Sequence, residues 1–285
     1  MIILDLNQVA ISNLMVQLGN HTNTEVEEDI LRHMILNSIR MYRTKFAKDY
    51  GELVIACDDK NYWRRQVFPY YKANRKKNRE KSELDWSAIF EALNKIRAEL
   101  REVFPYPTIQ VDGVEADDVI ATLSEQHGGM VSSERILILS GDKDFIQLQK
   151  YGNVEQFDPV RKKWIKADDP YKYLQEHILR GDTGDGIPNF LSDDDTFVTD
   201  KRQKPLTQKK IDSYIGKKPE EFCDNAMLRN YKRNQQLVDF ESIPADVKTR
   251  ILAEYKAQSG KHRDKLFNYF IQNKLKNLME VISDF

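Results

Sequence analysis

The sequence has little cysteine, only Cys57 and Cys223, and five scattered histidines. Two thiols cannot build a disulfide framework, and a chain of 285 residues does not need one, which fits a reducing cytoplasm. His21, His33, His127, His177 and His262 show no metal-ligand spacing, so each is expected to be an ordinary surface or helix residue. No uncharged apolar run reaches the roughly 20 residues of a membrane span. The N-terminus, MIILDLNQVA, lacks a basic start and is interrupted by Asp5 and Asn7, unlike a secretory signal. There is no glycine-rich Walker loop, which disfavours a nucleotide-driven motor. Excess charge of one sign is missing too: 44 Lys and Arg oppose 45 Asp and Glu, so bulk charge points to no polyanionic partner.

What is present is sorted charge on an alternating pattern. Four short apolar runs have the length of buried parallel strands: IIL at 2–4, LVIAC at 53–57, TIQV at 108–111 and ILIL at 136–139. Between them lie segments of helical period, one carrying Ile30, Leu31, Met34, Ile35, Ser38, Ile39 and Tyr42, another Ile89, Phe90, Leu93, Ile96 and Leu100. Parallel strands need crossovers, so the expected class is α/β, a mostly parallel central sheet flanked by helices. VEQFD at 154–158 and KWIKA at 163–167 predict a hairpin. From Pro170 the chain is expected to be helical, broken sharply at GDTGDGIPN (181–189) and followed by a polar, irregular loop at 191–205. A soft boundary near Gly186 divides a catalytic region, 1–185, from a smaller helical one, 186–285.

The acids fall at the strand ends: Asp5, then Asp58, then Glu115, Asp117 and Asp118, then Asp142 and Asp144. In an open α/β sheet those ends share one edge, where ligands bind. Each acid alone is an ordinary turn former or helix cap. Together, with no basic residue interleaved among them, they are expected to need cations, since buried unpaired carboxylates are costly. Oxygen-only ligation selects a hard ion, Mg²⁺ or Mn²⁺. Metal-assisted hydrolysis at a phosphate is the chemistry such a site supports.

The segment 60–81, KNYWRRQVFPYYKANRKKNREK, carries nine Lys and Arg against one acid, Glu80. Its cations suit phosphates, and Tyr62, Trp63, Phe68, Tyr70 and Tyr71 suit base stacking or packing, with Trp63 and Phe68 expected in the core. The cluster NRKKNREK is expected to order poorly until a polyanion arrives. Cys57 is expected to be a small buried apolar residue.

DLNQVA at 5, CDDKNYWRRQVFPYYKANRKK at 57, EADD at 115, SGDKDFIQL at 140 and GDTGDGIPN at 181 occur in the order of the flap endonuclease and 5′ nuclease superfamily, which the chain resembles over nearly its whole length. YKRNQQLVDFESIPADV in the tail is similar to the T-even bacteriophage ribonuclease H branch. The resemblance implies a 5′ nuclease, PIN-like fold and a Mg²⁺-dependent enzyme removing RNA primers from RNA–DNA hybrids and trimming 5′ ends and flaps during lagging-strand replication. By motif matching, Asp5, Asp58, Glu115 and Asp117 hold a first ion, Asp142, Asp144 and Asp185 a second, and Asp182 supports them. The segment 60–81 becomes an arch in which Arg64 and Lys72 meet the scissile phosphate, while Arg65, Tyr71, Arg75, Lys76, Lys77 and Arg79 guide the strand. GDTGDGIPN, with Gly186, matches the start of a helix-three-turn-helix that grips duplex phosphates, often through a monovalent cation. NFLSDDDTFVTDKRQKP then departs from the family's glycine-rich second turn, and Asp193, Asp194 and Asp195 are expected to be a solvated loop. The substrates implied are RNA–DNA hybrid and branched or nicked duplex DNA. A single-strand-binding protein and a sliding clamp are the implied partners, for a monomer in the host cytoplasm. The competing readings are a non-catalytic nucleic-acid-binding protein of the same fold and a small-molecule metal phosphatase. The latter lacks an early DxD pattern and leaves the basic segment unexplained.

Overall fold

The computed structural model describes residues 1–285 except 19–26, 83, 130–133 and 200. The side chains of 76–78 also lie outside the described residues, and with them the expected contacts of Lys76 and Lys77. All four apolar runs become strands: β1 (Ile2–Asp5), β2 (Leu53–Ala56), β3 (Thr108–Ile109) and β4 (Ile136–Leu139). The predicted hairpin is β5 (Val154–Asp158) and β6 (Lys163–Ile165), paired antiparallel. The sheet order is β3-β2-β1-β4-β5-β6, and every pair except the last is parallel.

Because successive strand residues point to opposite faces, each run supplies two cores. Ile2, Leu4, Leu53, Ile55, Leu137 and Leu139 enter one, and Ile3, Val54, Ala56, Ile136 and Ile138 the other. Helices α1 (Leu6–Leu18) and α2 (Glu28–Tyr50) cover the first face, as does α5 (Trp86–Val103), which follows the short helices α3 (Trp63–Val67) and α4 (Ala73–Glu80). The stripe of α2 buries Leu31, Ile35, Ile39, Tyr42 and Phe46, whereas Ile30 falls on its exposed side. The side chain of Asp85 caps α5 by accepting the Ala88 N–H. Helix α6 (Ala116–His127) covers the second face.

After α7 (Pro170–Arg180) come α8 (Gln208–Tyr214), α9 (Asn225–Val238), α10 (Ala245–Gln258), α11 (Leu266–Gln272) and α12 (Lys276–Met279). The apolar cores run across the position of the expected boundary. Phe240, Ile243, Val247 and Ile251 join the core under α6, while Leu266, Phe270, Leu278 and Phe285 join the one under α2. A smaller cluster joins Ile178 and Leu179 of α7 to Phe190, Ile211 and Tyr231. As expected, the described residues after the 181–189 turn are irregular, and the next helix starts at Gln208. The intervening loop is tied down: Ser192 Oγ accepts the Lys204 N–H at 2.8 Å, and Arg229 and Arg233 both clasp Asp194. Asp194 is therefore an ion-paired anchor and not a solvated residue. Among the described residues no helix is long and apolar enough to cross a membrane.

Candidate active site

The sheet order puts the topological switch between β1 and β4, which are neighbours although the chain visits β2 and β3 between them. Asp5 ends β1, Asp58 follows β2, Asp117 lies in the first turn of α6 after β3, and Asp142 caps the 3₁₀ turn Lys143–Lys150 after β4. These four carboxylates line one cavity of about 440 Å³, together with Tyr62, Lys72, Arg75 and Arg79.

Local hydrogen bonds aim them. Asp5 accepts the Gln8 N–H at 3.1 Å and the Ser140 hydroxyl at 3.2 Å. Asp58 accepts the Asn7 side-chain amide at 2.7 Å and the Ala116 N–H at 2.8 Å. Among the described residues none of the four forms a salt bridge to Lys or Arg. Burial, then Asp58 and Asp142, push the Asp5 carboxyl up to about 7. Burial and Asp144 push Asp142 up to about 6. Asp117 is also raised, by desolvation and then by Asp142, Glu115 and Asp5, despite the opposing pull of Lys72. Crowded, uncompensated oxygen donors of this kind fit a hard divalent cation.

Not all the acids are uncompensated, and the expectation that no basic residue interleaves with them fails. Glu115 is buried and ion-paired to Arg64 at 2.7 Å and to Lys72, and it also accepts the Tyr71 hydroxyl at 3.1 Å. Burial alone would raise its pKa; Lys72 and Arg64 overcome that and hold it low. Asp185 pairs with Arg75 and, at 3.5 Å, with Lys72, and is likewise held below the usual range against its burial. The chain folds this way because the 181–189 turn docks on the base of the basic segment. The Lys72 N–H donates to the Asp185 carbonyl at 2.7 Å, and Lys72 itself takes φ 56°. Gly186, at φ 73°, lets the turn approach the Tyr70 carbonyl, from which a Cβ would stand 3.2 Å. The same contact tethers the first turn of α4, where the Asn74 amide donates to the Thr183 carbonyl at 2.8 Å, and NRKKNREK is helical as far as Glu80.

Two expected strand contacts are turned inward. Arg64 is 2% exposed and spends its donors on Glu115, on Asp118 at 2.8 Å and on the Leu237 carbonyl at 2.9 Å. Tyr71 is 3% exposed, with its hydroxyl on Glu115 and Asp185. Neither is free to meet a phosphate or stack on a base. Arg65 lies over the Tyr62 ring and Arg79 over Phe90. Trp63, Phe68 and Cys57 are buried as expected. Asp118 is a structural brace, completing a capping box with Glu115 and accepting the Trp63 indole N–H at 3.0 Å.

A second group sits at the base of α7. His177 Nε2 lies 2.9 Å from Asp144 and 3.8 Å from Asp182, and the ring stacks on Tyr173. One ligand atom from each of Asp144, His177 and Asp182 falls within 4.8 Å of the others. Histidine spacing in the sequence missed His177, because its partner Asp144 is distant along the chain. The Asp182 oxygen also accepts the Asp185 N–H at 3.1 Å, closing the turn.

Residues 6–176 match the family described as 5′-3′ exonuclease, N-terminal resolvase-like domain, and residues 172–285 match the one described as T4 RNase H, C terminal. The chain belongs to the 5′-3′ exonuclease family. It is 33% identical over 294 residues to the ribonuclease H of Enterobacteria phage T4, covering 99% of this chain and 95% of that relative. It is 31% identical to a 5′-3′ exonuclease of Buchnera aphidicola, over 50% of each chain. Among solved structures, the bacteriophage T5 D15 flap endonuclease in complex with DNA and metal ions superposes at a TM-score of 0.62 with 17% identity, covering 91% of this chain and 99% of that one. The T5 D15 protein co-crystallized with metal ions gives 0.61 over 90% and 98%. The fold of these solved structures is the one found here.

Proposed function

We propose that the chain is a divalent-metal-dependent 5′ nuclease, a phosphodiester hydrolase that removes RNA primers from RNA–DNA hybrids and trims 5′ ends or flaps of DNA. The observation that carries this is the cavity in which Asp5, Asp58, Asp117 and Asp142 face Lys72, Arg75 and Arg79. A pure binder gains nothing from gathering unpaired carboxylates where a phosphate must come, which disfavours the non-catalytic alternative.

Asp5, Asp58, Asp117 and Asp142 would hold one Mg²⁺ or Mn²⁺, with Asp144 and Asp182 serving a second. When bound, such ions supply a water nucleophile at neutral pH and offset charge on the departing oxygen. The residues of the chain do the rest. Gln8, Ser140, Asn7 and the Ala116 amide fix the orientation of Asp5 and Asp58. Lys72 offers a cation to the phosphate oxygens, held in place by Glu115 and Asp185, whose own charges it and Arg75 offset. Glu115 and Asp185 thus act in this reading as the seat of Lys72. Arg65 and Arg79 steer the strand by charge, and the region after Gly186 grips the duplex. A monomer working in the host cytoplasm beside a single-strand-binding protein and a sliding clamp completes the proposal.

The test is cleavage of 5′-labelled RNA–DNA hybrid, nicked duplex and flapped duplex, with Mg²⁺ and with chelator. Short 5′ products that require Mg²⁺ are expected. Stable binding with no product under any divalent ion would leave only the binder.

A further inference from the structure

The four cavity carboxylates are an all-oxygen set, but the neighbouring group is not. His177 is carried by α7, one turn before the glycine that ends it, and its imidazole points back across the turn at Asp144 and Asp182. The Nε2 atom is shielded from solvent and lies 2.9 Å from the Asp144 oxygen and 3.8 Å from Asp182. The separations suit a shared cation. Metal bonds of about 2.1 Å at right angles place neighbouring ligand atoms about 3 Å apart, which Nε2 and Asp144 show at 2.9 Å and Asp182, at 3.8 Å, reaches by a small side-chain shift.

We infer that His177 is a nitrogen ligand to the second divalent ion, so that Asp144, His177 and Asp182 form a mixed nitrogen–oxygen position selective for Mn²⁺ over Mg²⁺. This inference rests on the nuclease reading above and sharpens it. Imidazole nitrogen is a poor donor for Mg²⁺ and a good one for transition metals, so one imidazole among carboxylates tips the preference without excluding either ion. The two positions then differ: an oxygen-only one indifferent to the exchange of Mg²⁺ for Mn²⁺, and one that gains from it.

The probe is Mn²⁺ bound to the full chain, read by pulsed electron paramagnetic resonance for nitrogen hyperfine coupling, with ¹⁵N-histidine labelling to identify the source. Part of the bound Mn²⁺ is expected to show histidine nitrogen coupling. His177→Asn should abolish it and weaken Mn²⁺ binding at one position by roughly tenfold, with a smaller loss for Mg²⁺. Mn²⁺ bound by the wild type with no nitrogen coupling, or coupling that survives in His177→Asn, would overturn the inference while leaving the nuclease reading intact if the wild type still cuts. A wild type that neither binds Mn²⁺ nor cuts overturns both. Should His177→Asn fold poorly by circular dichroism, His177→Gln takes its place in the same comparison.

Discussion

Replacing Arg64 by methionine separates two roles for this side chain. Family resemblance puts its guanidinium on the scissile phosphate; the structure buries it at 2% exposure between Glu115 at 2.7 Å and Asp118 at 2.8 Å. Methionine keeps most of the volume and removes the charge. Glu115 retains Lys72 and Tyr71, but Asp118 keeps only the Trp63 indole and the Glu115 N–H. Breaking a buried pair by deleting one partner costs about 3–5 kcal/mol, because the remaining charge stays buried. At about 2–4 °C per kcal/mol for a chain of this general size, the melting midpoint should fall by about 6–20 °C. The assay is thermal unfolding by circular dichroism without metal, beside single-turnover cleavage measured well below the midpoint. Arg64→Met combined with Asp118→Asn should recover part of the loss, since the amide no longer carries the stranded charge. An unchanged midpoint with a greatly slowed chemical step would refute the buried-brace assignment and return Arg64 to the phosphate.

Asp142→Asn should lower turnover by about 100-fold or more while preserving or tightening substrate binding, because it removes metal support and local repulsion together; weakened binding with normal turnover contradicts this. Lys72→Ala should slow the single-turnover rate by about 100-fold with a smaller change in hybrid affinity; an unchanged rate removes Lys72 from the chemistry. Stability without metal should fall as pH rises. The folded chain holds the Asp5 proton up to about 7, whereas the unfolded chain releases it near 4, so between those values the folded state binds more protons and loses stability at up to about 1.4 kcal/mol per pH unit. Mg²⁺ should therefore raise the melting midpoint at pH 8 far more than at pH 5, and an equal rise at both would contradict the assignment of Asp5 as a ligand.

Much of this architecture was legible before any coordinates. Short, continuously apolar runs followed by acids announce a buried parallel sheet, and its edge collects Asp5, Asp58, Asp117 and Asp142 because the parallel strands end there. The inward turn of Arg64 and Tyr71 was not legible. Their partners Glu115, Asp185 and Leu237 lie far along the chain, and a basic run does not reveal which of its charges face the interior. His177 escaped for the same reason: its meaning depends on Asp144, brought beside it only by the packing of α7 on the turn after β4. The tail was legible as helices but not as cover for the sheet, since amphipathic stripes do not name the face they will bury against.

The most direct test is anomalous scattering from crystals of the active protein soaked in Mn²⁺. A peak in the cavity among Asp5, Asp58, Asp117 and Asp142, lost in Asp117→Asn, is the predicted result. A cavity with no peak at a Mn²⁺ concentration that fully supports cleavage would contradict the assignment of these four carboxylates as the metal seat.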